Sequence, residues 1–197
     1  MFVGKKDDYV LIVERDSDPL NPRIDWDNLG TMCCWHRRYN LGDENMQSPT
    51  EVLEELIEKN VPVDVLETID MNYMETKEMI ELLNKYIVIL PLYLYDHSGI
   101  TISTSPFSCA WDSRMVGFIY ADKEAIVQNY NEYTEQTIQL AKEVLEEEVE
   151  IYDLYLQGEV YGYKLFLNNE EIDSCWGFIY EWDELLSQIQ YSLPSES

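Results

Sequence analysis

The chain has 197 residues, 46% of them hydrophobic and 13% aromatic, so it can bury a sizeable core and is not a disordered acidic tail. Its 39 acidic and 13 basic residues give a formal net charge of -26, which disfavours direct binding to bare nucleic acid or to an anionic membrane. A negative field of this size favours a basic partner, although acidic side chains also serve simply to keep proteins in solution.

The first fifteen residues contain one short apolar run, Tyr9–Val13. This run is far shorter than a membrane span of about 20 apolar residues and shorter than the core of a signal peptide. We therefore expect a cytoplasmic protein that does not enter a membrane. The four cysteines, including the adjacent Cys33 and Cys34, fit a reduced compartment better than a disulfide framework, so we expect free thiols.

The first half of the chain predicts strands separated by loops and two helices. "YVLIVERD" is typical of a strand, the Pro, Asp and Asn residues after it predict a loop up to Gly30, and "TMCCWHRRY" is predicted to be extended. Ser48 as N-cap, Pro49 at the first helical position and Glu51 as capping-box partner predict a helix over 49–59. A second helix within "NYMETKEMIELLNKY" precedes the buried strand "IVILPLYLY".

The second half begins with a loop and short strand between Ser98 and Ser113. "MVGFIYA" is predicted to be the next strand, where Gly117 permits a bulge or a close packing contact. A helical period then runs over 123–156 and ends at Gly158. "VYGYKLFL" and "SCWGFIY" predict a hairpin around the turn "NNEEID", and "WDELLSQIQYS" predicts a last helix.

The order of these elements lacks a regular alternation of strand and helix and predicts an α+β fold. We expect a mixed or antiparallel sheet packed with one long acidic helix and two to four shorter helices. The whole chain, 1–197, is predicted to form a single domain without internal repeats.

The long helix carries acidic residues opposite an apolar stripe. The stripe consists of Ile138, Ala141, Leu145, Val149, Tyr152 and Leu156. The acidic residues are Glu143, Glu146, Glu147, Glu150 and Asp153, and a second acidic set on the helix over 49–59 consists of Glu51, Glu54, Glu55 and Glu58. Like charges three and four residues apart destabilise a helix, so binding to a basic partner would explain a feature that folding alone does not require. A solvated helix face is the alternative interpretation.

A ligand pocket is a second candidate site, since aromatic walls and a few polar groups are typical of such pockets. Its candidate residues are His36, Arg37, Arg38, Tyr95, His97 and Trp111, with Trp26, Trp35 and Trp176 as further aromatic side chains. Arg37 and Arg38 are adjacent in a chain that has few cations. They could hold a phosphate or carboxylate bidentately, or neutralise carboxylates of the protein itself.

A zinc site is a third possibility, because cysteine and histidine are the usual ligands of structural zinc. The available side chains are Cys33, Cys34, His36, His97, Cys109 and Cys175. No CxxC pair is present among them, and cysteines also serve as small buried apolar residues. We therefore assign no metal and no cofactor.

Catalysis would require a nucleophile, a base and a group that orients the base. His97 could be the base for Cys109 or Ser108, and Asp96 or Asp112 could orient it. No nucleophile elbow, GxGxxG or HExxH motif accompanies these residues, so we predict a protein without enzymatic activity. Asp96, Asp112 and the neighbouring serines are instead predicted to cap backbone groups in a polar turn.

Four stretches of the chain resemble a family of small acidic proteins encoded by bacteriophages and mobile elements. They are "DPLNPRIDWDNLGTMCCWHRRYNLGD", "LPLYLYDHSGITISTSPFSCAWDSRMVGFIY", "VEIYDLYLQGEVYGY" and "DSCWGFIY". The resemblance covers residues 16–43, 90–120 and 149–180 and brings no catalytic residues with it. The segment 44–89 departs from the shorter linker of that family, which implies a helical insertion.

The resemblance implies expression inside a bacterium, where small acidic accessory proteins often counter host defences. Together with the acidic helix, it predicts a phage-encoded inhibitor of anti-CRISPR or antirestriction type, which mimics nucleic acid and occupies a basic channel. The expected partner is a CRISPR effector or restriction enzyme, and homodimers are possible. The alternatives are a small-molecule or nucleotide-binding protein that sequesters or hydrolyses a defence signal, and a structural or regulatory phage protein whose acidity is only solvation.

Overall fold

The computed structural model describes residues 1–45, 48–97, 99–108 and 113–192. The chain divides into two compact units. The first unit comprises Met1–Asp25 and the chain from Ile151 onward, and the second comprises Trp26–Glu150. The prediction of a single domain over 1–197 stays a prediction.

Strands and helices are mixed along the chain, as the sequence predicted. The strands are β1 (Phe2–Lys6), β2 (Tyr9–Arg15), β3 (Thr31–Cys34), β4 (Glu44–Asn45), β5 (Val88–Asp96), β6 (Ile100–Ser103), β7 (Ser113–Ala121), β8 (Val160–Leu167) and β9 (Glu170–Ile179). The helices are α1 (Pro49–Asn60), α2 (Val63–Leu66), α3 (Thr76–Leu83), α4 (Lys123–Tyr130), α5 (Glu135–Leu156) and α6 (Trp182–Ser192), with a 3₁₀ turn at Met71–Tyr73. The α+β fold class is confirmed, with two sheets in place of one and five described helices shorter than α5.

The first unit contains an antiparallel sheet in the order β1-β2-β8-β9. Asn168 and Asn169 both have positive φ, 51° and 70°, and form a two-residue hairpin turn between β8 and β9. The turn is therefore shorter than the predicted "NNEEID", and β9 already begins at Glu170. Leu185 of α6 packs with Val13 and Tyr161 in the core of this unit.

The second unit contains a sheet in the order β4-β3-β7-β5-β6. Its described neighbours pair antiparallel except for the short parallel pair of β3 and β4. The helices α1 and α3 pack against the sheet through fully buried side chains. These include Leu53, Ile57, Met79, Leu83, Ile89 and Phe118. The segment predicted as an insertion thus holds α1–α3, and its origin as an insertion stays a prediction.

Helix α1 begins at Pro49 and ends at Asn60, close to the predicted bounds. The predicted capping box is wrong, because the Ser48 side chain makes no capping hydrogen bond. A capping interaction of this kind instead starts α3, where the Glu78 carboxylate accepts a hydrogen bond of 2.8 Å from the Glu75 amide.

The predicted continuous helix over 123–156 is two helices, α4 and α5. Asn131 ends α4 in the left-handed conformation with φ of 62°, which asparagine tolerates better than most residues. Thr134 and Thr137 then start α5, since the amide of each donates to the hydroxyl of the other, at 2.9 Å and 3.3 Å. Four residues of the predicted stripe are buried in α5: Ala141, Leu145, Val149 and Tyr152.

Gly117 confirms the predicted bulge and close contact in β7. The register between β5 and β7 shifts beside it, between Leu92 and Tyr93. A Cβ atom at Gly117 would lie 2.4 Å from the carbonyl oxygen of Cys33 and 2.9 Å from Cys34 Sγ. The carbonyl oxygen of Cys33 is a backbone atom, so β3 could not move away from an added methyl group without losing its pairing to β7.

None of the helices in the described part of the chain is both long enough and apolar enough to cross a membrane.

Replacing Gly117 with alanine should lower the free energy of unfolding by about 2–3 kcal/mol, since the added methyl group overpacks the β3–β7 contact. Urea unfolding followed by circular dichroism measures the change. Gly99→Ala is the matched control, because a Cβ at Gly99 meets no atom within 4 Å and should change stability by less than about 0.5 kcal/mol. Equal effects of the two substitutions would contradict the packing argument.

Lys59 links the end of α1 to the start of α4, and its loss should destabilise the second unit. Its ammonium donates to Asp122 at 2.8 Å and to Glu124 at 2.6 Å, and these bonds raise the pKa of Lys59 above its ordinary value. Burial opposes ionisation of Asp122, but the hydrogen bonds from Lys59 and the Ala125 amide outweigh it and lower the pKa of Asp122. Lys59→Met should cost about 1 kcal/mol at neutral pH.

The sign of the pH dependence follows from the lowered pKa of Asp122. Ionised Asp122 stabilises the folded protein at pH values above the pKa that this residue has in the unfolded chain, and the stabilisation is lost as the pH falls through its lower folded pKa. The free energies of unfolding of wild type and Lys59→Met should therefore become equal below about pH 4. Urea unfolding at several pH values measures the difference. Lys77→Met, which removes an exposed pair with Glu81 at 3.7 Å, is the control and should cost at most about 0.5 kcal/mol. A difference that does not vary with pH would show that Lys59 acts through packing alone.

Candidate functional site

Only some of the carboxylates predicted to form the acidic row on α5 are exposed and outside ion pairs in the described part of the chain. Glu143, Glu147 and Glu150 are exposed, and no ion pair joins them to other residues in the described part of the chain. Glu143 accepts a hydrogen bond of 2.9 Å from Gln139, one turn earlier on the same helix. We call Glu143, Glu147 and Glu150 the α5 acidic face.

The other two predicted members of the row are half-buried and have neighbours on the helix. Glu146 lies 3.9 Å from the ammonium of Lys142. Asp153 accepts a hydrogen bond of 2.7 Å from Gln157. These two carboxylates therefore contribute less to the exposed negative charge than the α5 acidic face does.

Glu148, which the sequence did not single out, is a structural residue. Its carboxylate accepts hydrogen bonds from the amides of Leu29, at 2.6 Å, and Gly30, at 3.3 Å. These bonds hold the loop before β3 against α5. In the sequence Glu148 is indistinguishable from Glu147 beside it, because only the position of the loop reveals its partners.

The acidic residues of α1 form a second exposed surface. Glu51, Glu55 and Glu58 are exposed, and Glu54 is half-buried. The nearby Lys59 does not neutralise them, because its ammonium is bonded to Asp122 and Glu124.

A cavity of about 640 Å³ lies in the second unit, at one end of its sheet. The strands β3 and β5 both run antiparallel to the central β7. Their carboxyl ends therefore lie at the same end of the sheet as the first residues of β7. The lining residues come from these three places. They are Trp35, His36, Arg37, Arg38, Leu94, Asp96, Arg114, Met115 and Val116. His36, Arg37 and Arg38 thus line one cavity, and their role in binding a ligand stays a prediction.

The cavity holds three of the five arginines of the chain and one carboxylate among its lining residues. Arg38 forms an ion pair with Asp96, and Asp96 also accepts a hydrogen bond of 3.3 Å from the Tyr39 hydroxyl. In the described part of the chain no carboxylate pairs with Arg37 or Arg114. The cavity therefore has an excess of positive charge within a strongly acidic protein.

Two backbone amides orient the ring of His36, and its surroundings favour the neutral form. Its Nδ1 accepts long hydrogen bonds from the amides of Arg38, at 3.4 Å, and Tyr39, at 3.3 Å. Burial, and then the charge of Arg38, lower the pKa of His36 against the opposing effect of Asp96. Because Nδ1 is an acceptor, the proton of the neutral ring lies on Nε2. The ring also stacks on Tyr39, with centroids 4.9 Å apart.

The structure separates Tyr95 and His97 from this cavity. Successive side chains of a strand point to opposite faces of the sheet, so Tyr95 faces away from the lining residues Leu94 and Asp96. Tyr95 instead contacts His97 and Phe107, with ring centroids 6.0 Å and 5.6 Å away. The remaining predicted pocket residue, Trp111, lies outside the described residues.

Sequence reasoning missed Arg114 and gave Asp96 the wrong role. Asp96 was predicted to cap backbone groups, but its carboxylate binds the side chains of Arg38 and Tyr39. Arg114 is the register partner of Leu94 across the β5–β7 pair, which places it on the face of Asp96. No sequence signal gives this register. Asp112 lies outside the described residues, whereas Ser103 does accept a backbone hydrogen bond, from Ser105 at 3.1 Å.

The side chains that were considered for a zinc site or a catalytic group do not meet among the described residues. No three His, Cys, Asp or Glu side chains within 1–45, 48–97, 99–108 and 113–192 converge to hold a metal ion. Cys33 and Cys34 are buried free thiols of β3, and Cys175 is an exposed free thiol. No hydrogen bond joins His97 to Ser108 in that part of the chain, and Cys109 lies outside it.

Comparison with known proteins adds no family to this geometry. No protein-family model matches the chain, and no curated protein and no solved structure is significantly similar to it. The resemblance to acidic phage proteins stays a prediction.

Proposed function

We propose that the protein is a phage-encoded inhibitor that binds a basic, nucleic-acid-binding component of a bacterial defence system in the host cytoplasm. The observation that carries the proposal is the α5 acidic face, whose three exposed carboxylates have no cationic partner among the described residues. The partner is a CRISPR effector or a restriction enzyme, whose nucleic-acid channel presents lysines and arginines. The acidic residues of α1 provide additional negative charge.

The spacing of the charges on α5 supports mimicry of a nucleic-acid backbone. A helix rises about 1.5 Å per residue, so the three carboxylates of the α5 acidic face, Glu143, Glu147 and Glu150, are distributed over roughly 10 Å of axis. This is one carboxylate per about 5 Å, compared with one phosphate per about 3.4 Å in a single strand of duplex DNA. A channel that binds phosphates can therefore meet a similar density of negative charge along α5.

The cost of the α5 acidic face to folding also supports a function in binding. Glu143 and Glu147 are four residues apart and Glu147 and Glu150 three, which are the separations at which like charges destabilise a helix. The only lysine of α5, Lys142, lies nearer to Glu146. A basic partner would remove this repulsion on binding, and long-range attraction would speed its association.

Reversing the charge of the α5 acidic face should abolish inhibition while preserving the fold. The triple variant Glu143→Lys, Glu147→Lys and Glu150→Lys places like charges against a basic channel. Binding should weaken at least about a hundredfold, because such juxtaposition costs several kcal/mol. Inhibition is measured as the efficiency of phage plating on bacteria that carry a CRISPR or restriction system, and then as DNA cleavage by the purified nuclease.

The control makes the same change of net charge elsewhere, at the exposed Glu170, Glu171 and Glu181 of the first unit. This variant should inhibit as wild type does, and circular dichroism should show that both variants are folded. Inhibition by wild type should also fall as salt is raised from roughly 50 to 200 mM. Full inhibition by the α5 triple variant, or equal loss in the control, would refute the assignment of this face.

A further inference from the structure

We propose that the cavity at the start of β7 binds a small phosphate-bearing ligand of mononucleotide size, which Arg37, Arg38 and Arg114 hold by its phosphate. This site is separate from the α5 acidic face and adds a second binding activity to the proposed function. Its cations come from two places in the sheet, the segment after β3 and the first residues of β7.

The charged groups of the cavity favour an anion. Arg37 and Arg114 have no carboxylate partner in the described part of the chain, so their guanidinium groups are available to a ligand. Guanidinium groups bind phosphate oxygens through paired hydrogen bonds, which a lysine ammonium does not provide. If arginines served only to balance surface charge, they would be expected beside the exposed carboxylates of α1 and α5 rather than together in one cavity.

His36 supplies an N–H donor to the lining of the same cavity. Its Nδ1 accepts the amides of Arg38 and Tyr39, so Nε2–H is the ring group that remains for a ligand acceptor. A neutral donor suits a phosphate oxygen and does not suit a cation.

One of the three arginines of the cavity, Arg38, already has partners that position it for a ligand. Asp96 holds Arg38 in an ion pair, and the guanidinium carbon of Arg38 lies 5.5 Å from the centroid of the Tyr39 ring. His36 stacks on the same tyrosine. A side chain that is already positioned loses less conformational entropy on binding, so Arg38 and His36 can contact a ligand at a lower entropic cost.

The remaining walls fit an apolar or aromatic group of the ligand. Trp35, Leu94, Met115 and Val116 line the cavity beside the arginines, and Trp35 is braced by Phe118, with ring centroids 6.1 Å apart. A volume of about 640 Å³ lies within the range of small-molecule sites. The combination of a phosphate subsite and an aromatic wall is the chemistry that a mononucleotide presents.

The net charge of the protein favours a small ligand over a nucleic-acid strand. Charges are screened beyond about 8 Å at physiological ionic strength, so a small anion in the cavity is governed by the arginines that it touches. A longer polyanion would extend over the surrounding surface of a chain with a net charge of -26 and would be repelled there.

Isothermal titration calorimetry with AMP, pyrophosphate and adenosine tests the proposal on the full chain. AMP should bind with a dissociation constant of about 1 mM or lower and more tightly than adenosine. The double variant Arg37→Gln and Arg114→Gln should weaken AMP binding at least about tenfold per arginine, since hydrogen bonds to charged groups contribute strongly. Binding of adenosine should be unchanged, and circular dichroism should confirm that the variant is folded.

Arg15→Gln is the matched control, because it makes the same arginine-to-glutamine change in the first unit, where Arg15 pairs with Glu159. It should leave AMP affinity unchanged. The proposal is overturned if neither AMP nor pyrophosphate binds at about 5 mM, if the double variant binds AMP as wild type does, or if Arg15→Gln weakens binding equally. Tighter binding of a single-stranded oligonucleotide than of AMP would overturn the assignment to a small ligand.

Discussion

The shortage of cations is the constraint on which the arrangement of charge in this protein depends. Thirteen basic residues face 39 acidic ones, so most carboxylates must do without an ion pair. The described pairs with N–O distances below 3 Å lie where separate segments meet: Lys59 joins the end of α1 to the start of α4, Lys164 bonds Glu14 across β8 and β2, and Arg38 ties the chain after β3 to β5. Because cations are used at these junctions, the open faces of α1 and α5 keep their negative charge. The exposed acidity is thus a consequence of where the few cations are placed.

The sheet of the second unit explains why the arginines form a site at all. A central β7 flanked by two antiparallel neighbours brings the carboxyl ends of β3 and β5 to one edge. Gly117 allows β3 to approach β7 closely, and Trp35 then donates its amide to the carbonyl of Val116 at 2.8 Å. This contact fixes the point where the chain leaves β3 and therefore where His36 and the following arginines stand. Packing in the core of the sheet thus determines the geometry of the charged cavity.

Features that depend on local periodicity and turn chemistry could be predicted from the sequence, and features that depend on strand register could not. The helix that starts at Pro49, the buried stripe of α5 and the close contact at Gly117 all follow from short stretches of sequence. The break at Asn131 was missed because the apolar period continues through it. Arg114 was missed because its position beside Leu94 is set by long-range pairing. Tyr95 was grouped with the cavity as an aromatic wall, but it faces the side of the sheet opposite to its neighbours Leu94 and Asp96, which line the cavity.

Consecutive glutamates of α5 show why a run of acidic letters does not by itself define a function. Glu148 binds the amides of Leu29 and Gly30, Glu146 lies near Lys142, and Glu147 is exposed without a cationic partner among the described residues. Only exposed charges without a partner, such as Glu147, can bind another protein without breaking a contact of the fold.

The two proposed sites differ in the distance over which their electrostatic fields act. The α5 acidic face attracts a basic partner over many ångströms and is weakened by salt. The arginines of the cavity attract an anion over a short distance, and the net negative charge of the protein repels it. Salt weakens both the attraction and the repulsion, so its two effects on the affinity for the anion partly cancel. One strongly acidic chain can therefore carry both sites without either one preventing the other.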